Sequence, residues 1–136
     1  MIDFSAPILV VEDFGAVGLV VVEVLKRAGF KHVDHVHDGI TALNQMRTTH
    51  FQLVISDLNM KPMTGLDLLK QIRSDHSFAD VRFLLMTGSS SLDLVLAAET
   101  AGANGVIAKP FTAQGLRDKI NHVFARKAGD TGASDV

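Results

Sequence analysis

The chain has 136 residues, of which 47% are hydrophobic and 21% charged, and this is the size and composition of one folded domain. Cysteine is absent, so disulfide frameworks, thiol nucleophiles and cysteine-ligated zinc sites are excluded. The formal net charge of −2 argues against direct nucleic-acid binding, which needs a basic footprint. No apolar run reaches the ~20 residues of a membrane span and the N-terminus does not resemble a signal peptide, so we expect a cytoplasmic protein without membrane insertion.

Short apolar runs alternate with longer helical patterns along the whole chain. In chain order, the patterns predict a strand at 7–11, a helix at 14–28, a strand at 32–36, a helix at 40–47, a strand at 51–56, a helix at 65–74, a strand at 81–86, a helix at 92–101, a strand at 105–108 and a helix at 112–126. Gly29 and Gly102 are typical helix ends, and Thr112 is a good N-cap.

This strict alternation predicts an α/β fold with helices on both faces of a parallel sheet. Right-handed crossovers and five strands favour a doubly wound, flavodoxin-like sheet with the strand order 2-1-3-4-5. The elements need nearly all of the length, so we predict one domain at 1–128. The remaining residues, 129–136, have the composition of a flexible tail.

Residues able to carry chemistry follow four of the five predicted strands. Glu12 and Asp13 follow the first strand, Asp57 the third, Thr87 the fourth and Lys109 the fifth. In such a sheet the functional crevice lies beyond the carboxyl ends of the strands, so these side chains should converge. Three neighbouring carboxylates need a counter-charge, and Mg²⁺ fits oxygen ligands with open positions for water. The set suits attack of a carboxylate oxygen on phosphorus, with a metal ion and a lysine spreading the charge.

These motifs resemble the receiver domain of two-component response regulators, and among them the stand-alone chemotaxis regulators most closely. The resemblance covers nearly the whole chain, and it is carried by Glu12-Asp13, the segment 54–60 with Gly65, Thr87-Gly88, the segment 101–105 and Lys109-Pro110-Phe111.

The resemblance implies a phosphoacceptor and a metal site. Asp57 would take a phosphoryl group from a sensor histidine kinase or a histidine phosphotransfer protein. Mg²⁺ would be held by Glu12, Asp13, Asp57 and the backbone carbonyl of Asn59, with Asp13 the more direct ligand of the acidic pair. The chain would be a signalling protein whose only catalysis is its own phosphorylation and dephosphorylation.

The resemblance also assigns the groups around the phosphoryl position. Thr87 would bind a phosphoryl oxygen, Lys109 would pair with the phosphoryl group, and the Lys109–Pro110 bond would be cis. The chain departs from the family at Val106, where the family carries Tyr or Phe whose ring turns inward when Thr87 moves. Since valine has no ring to reorient, we expect the switch to use the backbone of the loop after the fourth strand instead.

Three further residues concern the path of the loop after Asp57 and the lifetime of the aspartyl phosphate. The family more often has proline one residue before Pro62, so the loop after Asp57 is expected to follow a different path. We expect Lys61 to be an exposed lysine, the alternative being a role in phosphate attraction. Ser89 is small and neutral and should not block the hydrolytic water, so the aspartyl phosphate should not be exceptionally long-lived.

Outside these motifs, the second strand carries a group of histidines, and the first and fourth helices carry apolar stripes. His35 and His37 should project from one face of the second strand and His32 from the other, and we favour an outer-strand decoration over a metal site. The first helix should pack on the sheet through the stripe Val17, Val20, Val21, Val24 and Ala28. The fourth helix has two opposite apolar stripes, Leu92, Val95, Leu96 and Glu99 against Leu94, Ala97, Ala98 and Ala101.

The apolar surface left on the fourth helix is open to two interpretations. It consists either of scattered exposed aliphatic residues or of a surface for a downstream protein, or for a dimer, on the face formed by helix four, strand five and helix five.

Three other functions remain as alternatives. A flavodoxin-type flavin carrier needs a glycine- and hydroxyl-rich phosphate loop where this chain has Glu12-Asp13. A phosphatase of the haloacid dehalogenase kind needs a second aspartate at position 59, which is Asn59. A degenerate receiver would act as a phosphorylation-independent adaptor or phosphate sink, and Val106 and Lys61-Pro62 keep it open.

Overall fold

The computed structural model describes residues 2–89 and 91–126, and strands and helices alternate along these residues. The strands are β1 (Ile8–Val11), β2 (Val33–Val36), β3 (Leu53–Asp57), β4 (Arg82–Thr87) and β5 (Gly105–Ala108). The helices are α1 (Gly15–Arg27), α2 (Gly39–Thr48), α3 (Gly65–Arg73), α4 (Leu92–Ala101) and α5 (Ala113–Phe124), and a short 3-10 turn at His76–Phe78 was not predicted. The predicted tail, 129–136, and the domain boundary at 128 lie outside the described residues.

The strands form one parallel sheet in the order β2-β1-β3-β4-β5, which confirms the predicted topology. The register pairs Val11 with Ser56, Asp57 with Met86, and Thr87 with Ala108. The strands β1, β3, β4 and β5 therefore end close together, and the residues that follow them share one edge of the sheet.

Alternate side chains of the central strands enter two separate cores, one on each face of the sheet. Ile8 and Val10 point toward α1 and α5, whereas Leu9 and Val11 point toward the layer of α2, α3 and α4. All four are fully buried. This explains why β1 reads as a continuous apolar run instead of an alternating one.

Side-chain caps fix where four of the five helices begin. Asp38, Thr64, Ser91 and Thr112 each accept a backbone N–H of the first turn of the following helix, and a cap of this kind is worth about 1 kcal/mol. The Thr112 cap was predicted from the sequence. In contrast, α1 follows Phe14, which provides no side-chain cap.

The structure corrects the predicted packing of α1. Val21 and Val24 are buried as expected, but Val20 is 57% exposed and Leu25, outside the predicted stripe, is fully buried. The buried line runs through Gly18, Val21 and Leu25, which is ordinary helical spacing. Because glycine has no side chain, it hid the centre of this face from a pattern based on apolar residues.

Neither predicted stripe of α4 faces the sheet intact. The buried residue is Ala98, with Leu94 and Val95, one from each stripe, half-buried on either side. Leu92 and Leu96 point outward and are 71% and 49% exposed. A small residue at the contact lets α4 lie close to its neighbours, and the larger aliphatic side chains remain on the surface.

Candidate functional site

The predicted site residues meet at the carboxyl edge of the sheet. Glu12 and Asp13 follow β1, Asp57 ends β3, Thr87 ends β4 and Lys109 follows β5. Glu12, Asp57 and Thr87 are at most 3% exposed, whereas Asp13 is exposed. The site therefore has two deeply placed carboxylates and one that faces solvent.

The three carboxylates form a compact acidic cluster. One oxygen each of Glu12, Asp13 and Asp57 lies within 4.8 Å of the others, a spacing that a single divalent cation could bridge. Asp57 Oδ1 is buried, and among the described residues its polar contact is the ion pair with the Lys109 ammonium. A buried carboxylate oxygen with spare acceptor capacity beside two other carboxylates fits Mg²⁺, which takes oxygen ligands and retains water.

Lys109 supplies the counter-charge of the cluster. Its Nζ lies 2.8 Å from Asp57 Oδ1 and 3.4 Å from Glu12 Oε2. Its backbone N–H donates to the carbonyl of Thr87 over 2.7 Å, and the Lys109–Pro110 peptide is cis, as expected. Burial acts to lower the pKa of Lys109, but the contacts with Asp57 and Glu12 outweigh it and raise the pKa above its ordinary value.

Glu12 lies in an environment that disfavours its charge. Burial raises the pKa of Glu12, the charge of Asp57 raises it further, and the N–H of Phe14 and the charge of Lys109 act in the opposite direction. The Phe14 N–H donates to Glu12 Oε1 over 3.1 Å. Because burial disfavours the charged form of Glu12, a nearby cation would stabilise that charged form.

The loop between β3 and α3 is held tightly against Asp57. Leu58 N–H donates to the carbonyl of Met86, and Gly65 N–H donates to the carbonyl of Leu58. A Cβ on Gly65 would lie 2.2 Å from the carbonyl oxygen of Asp57, so only glycine permits this approach. Asn59 lies exposed in the same loop, and its carbonyl as a metal ligand stays a prediction.

Thr87 is buried at the end of β4, one residue beyond the partner of Asp57 in the sheet register. Its hydroxyl oxygen accepts the backbone N–H of Ser89 over 3.0 Å. Among the described residues this hydroxyl donates no hydrogen bond of its own. The role of Thr87 toward a phosphoryl oxygen stays a prediction, as does the effect of Ser89 on hydrolysis.

The two departures from the family pattern occupy different places. Lys61 is exposed, as expected, and the Lys61–Pro62 peptide is cis, which was not predicted. Val106 is half-buried and borders a cavity of about 160 Å³, which is also lined by Val95, Glu99 and Lys119. Val106 thus borders open space between α4 and α5.

Two side chains contact the backbone of the site in a way that was not predicted from the sequence. His35 Nε2 and His37 Nδ1 lie 3.1 Å and 3.3 Å from the carbonyl oxygen of Glu12. Their alternate spacing had placed them on one face of β2, and their rings are 4.6 Å apart. The sequence feature that could have indicated these contacts is Gly18, which is buried opposite the ring of His35. This feature can be recognised only once the packing of α1 is known.

The chain is similar to proteins of a known family. The family described as "Response regulator receiver domain" matches residues 8–121. The chain belongs to the response regulator receiver family. This receiver domain is 37% identical over 122 residues to "Chemotaxis protein CheY" of Pseudomonas aeruginosa, with 90% of this chain and 98% of the relative covered. It is 38% identical over 119 residues to "Chemotaxis protein CheY-3" of Vibrio cholerae, covering 88% and 92%.

Solved structures agree with this family. The chemotaxis protein CheY4 of Vibrio cholerae superposes with a TM-score of 0.82 at 29% identity, covering 88% of this chain and 98% of that one. A response regulator from Chloroflexus aurantiacus superposes with a TM-score of 0.83 at 28% identity, covering 90% and 99%. The CheY-like resemblance and the flavodoxin-like fold are both confirmed, and the flavin-carrier and phosphatase alternatives are set aside.

Membership of this family supports a role in two-component signalling, and it implies interaction with kinases and downstream targets. Its acidic cluster is compatible with Mg²⁺. Within residues 2–89 and 91–126, none of the helices combines the length and apolarity that a membrane crossing requires.

Proposed function

We propose that the protein is a phosphoacceptor response regulator in which Asp57 takes a phosphoryl group from a phosphohistidine. The donor is a sensor histidine kinase or a histidine phosphotransfer protein. An Asp57 carboxylate oxygen forms the new bond to phosphorus, the N–P bond of the donor breaks, and the freed imidazole nitrogen takes up a proton. The observation that carries the proposal is the buried Asp57 carboxylate, paired with Lys109 at 2.8 Å inside a cluster of three carboxylates.

Mg²⁺ is the proposed cofactor, held by Glu12, Asp13, Asp57 and the carbonyl of Asn59. When bound, it would neutralise carboxylate charge and polarise a phosphoryl oxygen. The support comes from the donor set, because all these ligands are oxygens and Asp57 Oδ1 has capacity to spare. Asp13 is the exposed member and is therefore the ligand most open to an arriving ion.

Lys109 and Thr87 are proposed to act on the transferred group. The Lys109 ammonium already contacts Asp57 and would follow the charge onto a phosphoryl oxygen. The Thr87 hydroxyl would donate its hydrogen to another phosphoryl oxygen while its oxygen accepts the Ser89 N–H. Catalysis is limited to the protein's own phosphorylation and dephosphorylation, and an exposed Ser89 leaves a path for the hydrolytic water.

The proposed output surface is the face formed by α4, β5 and α5, through which the phospho-form changes binding of a downstream protein or of a second copy. Leu92 and Leu96 expose aliphatic surface there. Val106 cannot supply a moving ring, so the signal would pass from Thr87 through the backbone of the loop between β4 and α4. Amide chemical-shift changes in α4 and β5 on phosphorylation would support this route, and their absence would contradict it.

The experiment that tests the proposal is incubation with acetyl phosphate and Mg²⁺, followed by intact mass measurement. Wild-type protein should gain one phosphoryl group, and Asp57→Ala should gain none. Asp34→Ala, which removes an exposed carboxylate of β2, is the matched control and should behave as wild type. The gain should disappear when the metal ion is chelated. No gain in wild type would contradict the proposal and favour an adaptor that works without phosphorylation.

A further inference from the structure

His35 of the edge strand β2 and His37, which directly follows that strand, meet the backbone at the start of the acidic site. His35 Nε2 lies 3.1 Å, and His37 Nδ1 3.3 Å, from the carbonyl oxygen of Glu12. A carbonyl oxygen has two lone pairs and no proton, so each ring must present an N–H on the nitrogen that faces it. The two imidazoles therefore donate together to one backbone oxygen.

The sheet itself explains why this carbonyl needs such donors. Glu12 N–H makes the last bond of the ladder between β1 and β2, to the carbonyl of Val36 over 3.0 Å. The chain then leaves the ladder, because Asp38 turns away to cap α2 through its contact with Thr41 N–H. A partly buried carbonyl at the end of a ladder requires another donor, and His35 of β2 and His37 just after it supply two.

The packing of α1 shows that the position of the first ring is built in. Gly18 is buried on the sheet side of α1, and a Cβ there would lie 2.2 Å from the imidazole of His35. Any other residue at position 18 would push the ring away from the Glu12 carbonyl. Glycine at position 18 of α1 thus leaves room for the imidazole of His35 on β2.

Glu12 is consequently held at three points. Its N–H is bound by Val36, its carbonyl by the two imidazoles, and its Oε1 by the N–H of Phe14. We propose that His35 and His37 are positioning residues that fix the backbone of Glu12 and so hold its carboxylate in place for the divalent cation. This inference rests on the metal site of the proposed function. Groups that orient a metal ligand typically alter metal affinity about 10-fold or more.

The test compares variants that keep an N–H donor at these positions with variants that keep only the size of the side chain. Gln at 35 can place an amide N–H near the position of Nε2, and Asn at 37 near that of Nδ1, whereas leucine fills space without donating. The variants are the double amide His35→Gln/His37→Asn, the double leucine His35→Leu/His37→Leu, and His32→Ala as a control on an exposed histidine. The probe is Mn²⁺ alone, with the free ion quantified by its electron paramagnetic resonance signal and no phosphoryl donor present.

The wild type, the His32 variant and the double amide should bind Mn²⁺ within about 2-fold of one another, and the double leucine about 10-fold more weakly. Equal binding by the double leucine would overturn the inference, as would an equal loss in both double variants. Absence of Mn²⁺ binding by the wild type would overturn the metal proposal and this inference with it, a result distinct from the other two.

A second measurement needs no substitution and no metal ion. Long-range ¹H–¹⁵N spectra of the wild type in alkaline buffer report which ring nitrogen carries the proton. We expect the proton on Nε2 of His35 and on Nδ1 of His37, because these nitrogens face the Glu12 carbonyl oxygen. The opposite tautomer at either ring would overturn it, whatever the stability of the variants.

Discussion

Replacing Gly65 by alanine tests how closely α3 is fitted to the phosphoacceptor strand. Gly65 begins α3, and an added Cβ would lie 2.2 Å from the Asp57 carbonyl oxygen and 2.9 Å from Cδ1 of Leu85. The start of α3 would have to withdraw by about 1 Å, and overpacking of this kind costs about 1–3 kcal/mol. The better helix propensity of alanine offsets up to about 1 kcal/mol, so we expect a net loss on the order of 1–2 kcal/mol.

The assay is thermal unfolding followed by circular dichroism, because the chain has neither Trp nor Tyr. The expected loss corresponds to a Tm lowered by roughly 3–8 °C for a domain of this size. Gly15→Ala is the matched control, since Gly15 begins α1 and a Cβ there meets nothing within 4 Å. The Tm of this control should be unchanged or higher. If Gly65→Ala melted at the same temperature as Gly15→Ala, the close fit of α3 against Asp57 would be refuted.

Three further predictions concern charges and their partners. Because the pKa of Glu12 is raised, folded protein retains a proton that the unfolded chain releases, and stability falls as pH rises above about 4.5. Glu12→Gln should therefore raise the Tm near neutral pH without divalent cations and weaken the stabilisation by Mg²⁺. A lower Tm than wild type in chelator would speak against this. Lys109→Met should cost about 1–3 kcal/mol at neutral pH, since it leaves two buried carboxylates unbalanced. The pKa of Lys109 is raised, so the stability it adds is present below its ordinary value of 10.5 and lost as pH rises through the folded value. The penalty measured by denaturant unfolding should thus shrink at high pH, and a constant penalty would contradict the ion pairs. Arg73→Met removes three hydrogen bonds to oxygens of two loops and should cost about 2–4 kcal/mol. Lys70→Met on the exposed face of α3 should cost little by the same measurement, and equal effects would refute the role of the Arg73 contacts.

Much of the fold was predictable because a parallel sheet leaves strong local signals. A strand such as β1, buried on both faces, must be apolar throughout, and Gly102 and Thr112 mark helix boundaries through backbone conformation and capping. Gly102 indeed adopts a positive φ of 101° at the end of α4. The order of the strands follows from chain connectivity and handedness, and this alone brings the residues after β1, β3, β4 and β5 to one edge.

What the sequence could not predict depends on the rotation of helices and the register of the edge strand. Val20, which was expected to pack on the sheet, is exposed and Leu25 is buried, because Gly18 occupies the centre of the buried face of α1. The contacts of His35 and His37 with the Glu12 carbonyl need both that rotation and the pairing of β2 with β1. Such contacts join residues far apart in the chain, and no spacing rule within one element can reveal them.

The location of the transferred phosphoryl group tests the central claim most directly. After incubation with acetyl phosphate and Mg²⁺, sodium borodeuteride reduces an aspartyl phosphate to deuterated homoserine, which peptide mass spectrometry can place in the sequence. We expect homoserine at position 57 in the wild type and unmodified residues elsewhere. Homoserine at Asp13 or another carboxylate, with Asp57 unmodified, would contradict the assignment of the phosphoacceptor.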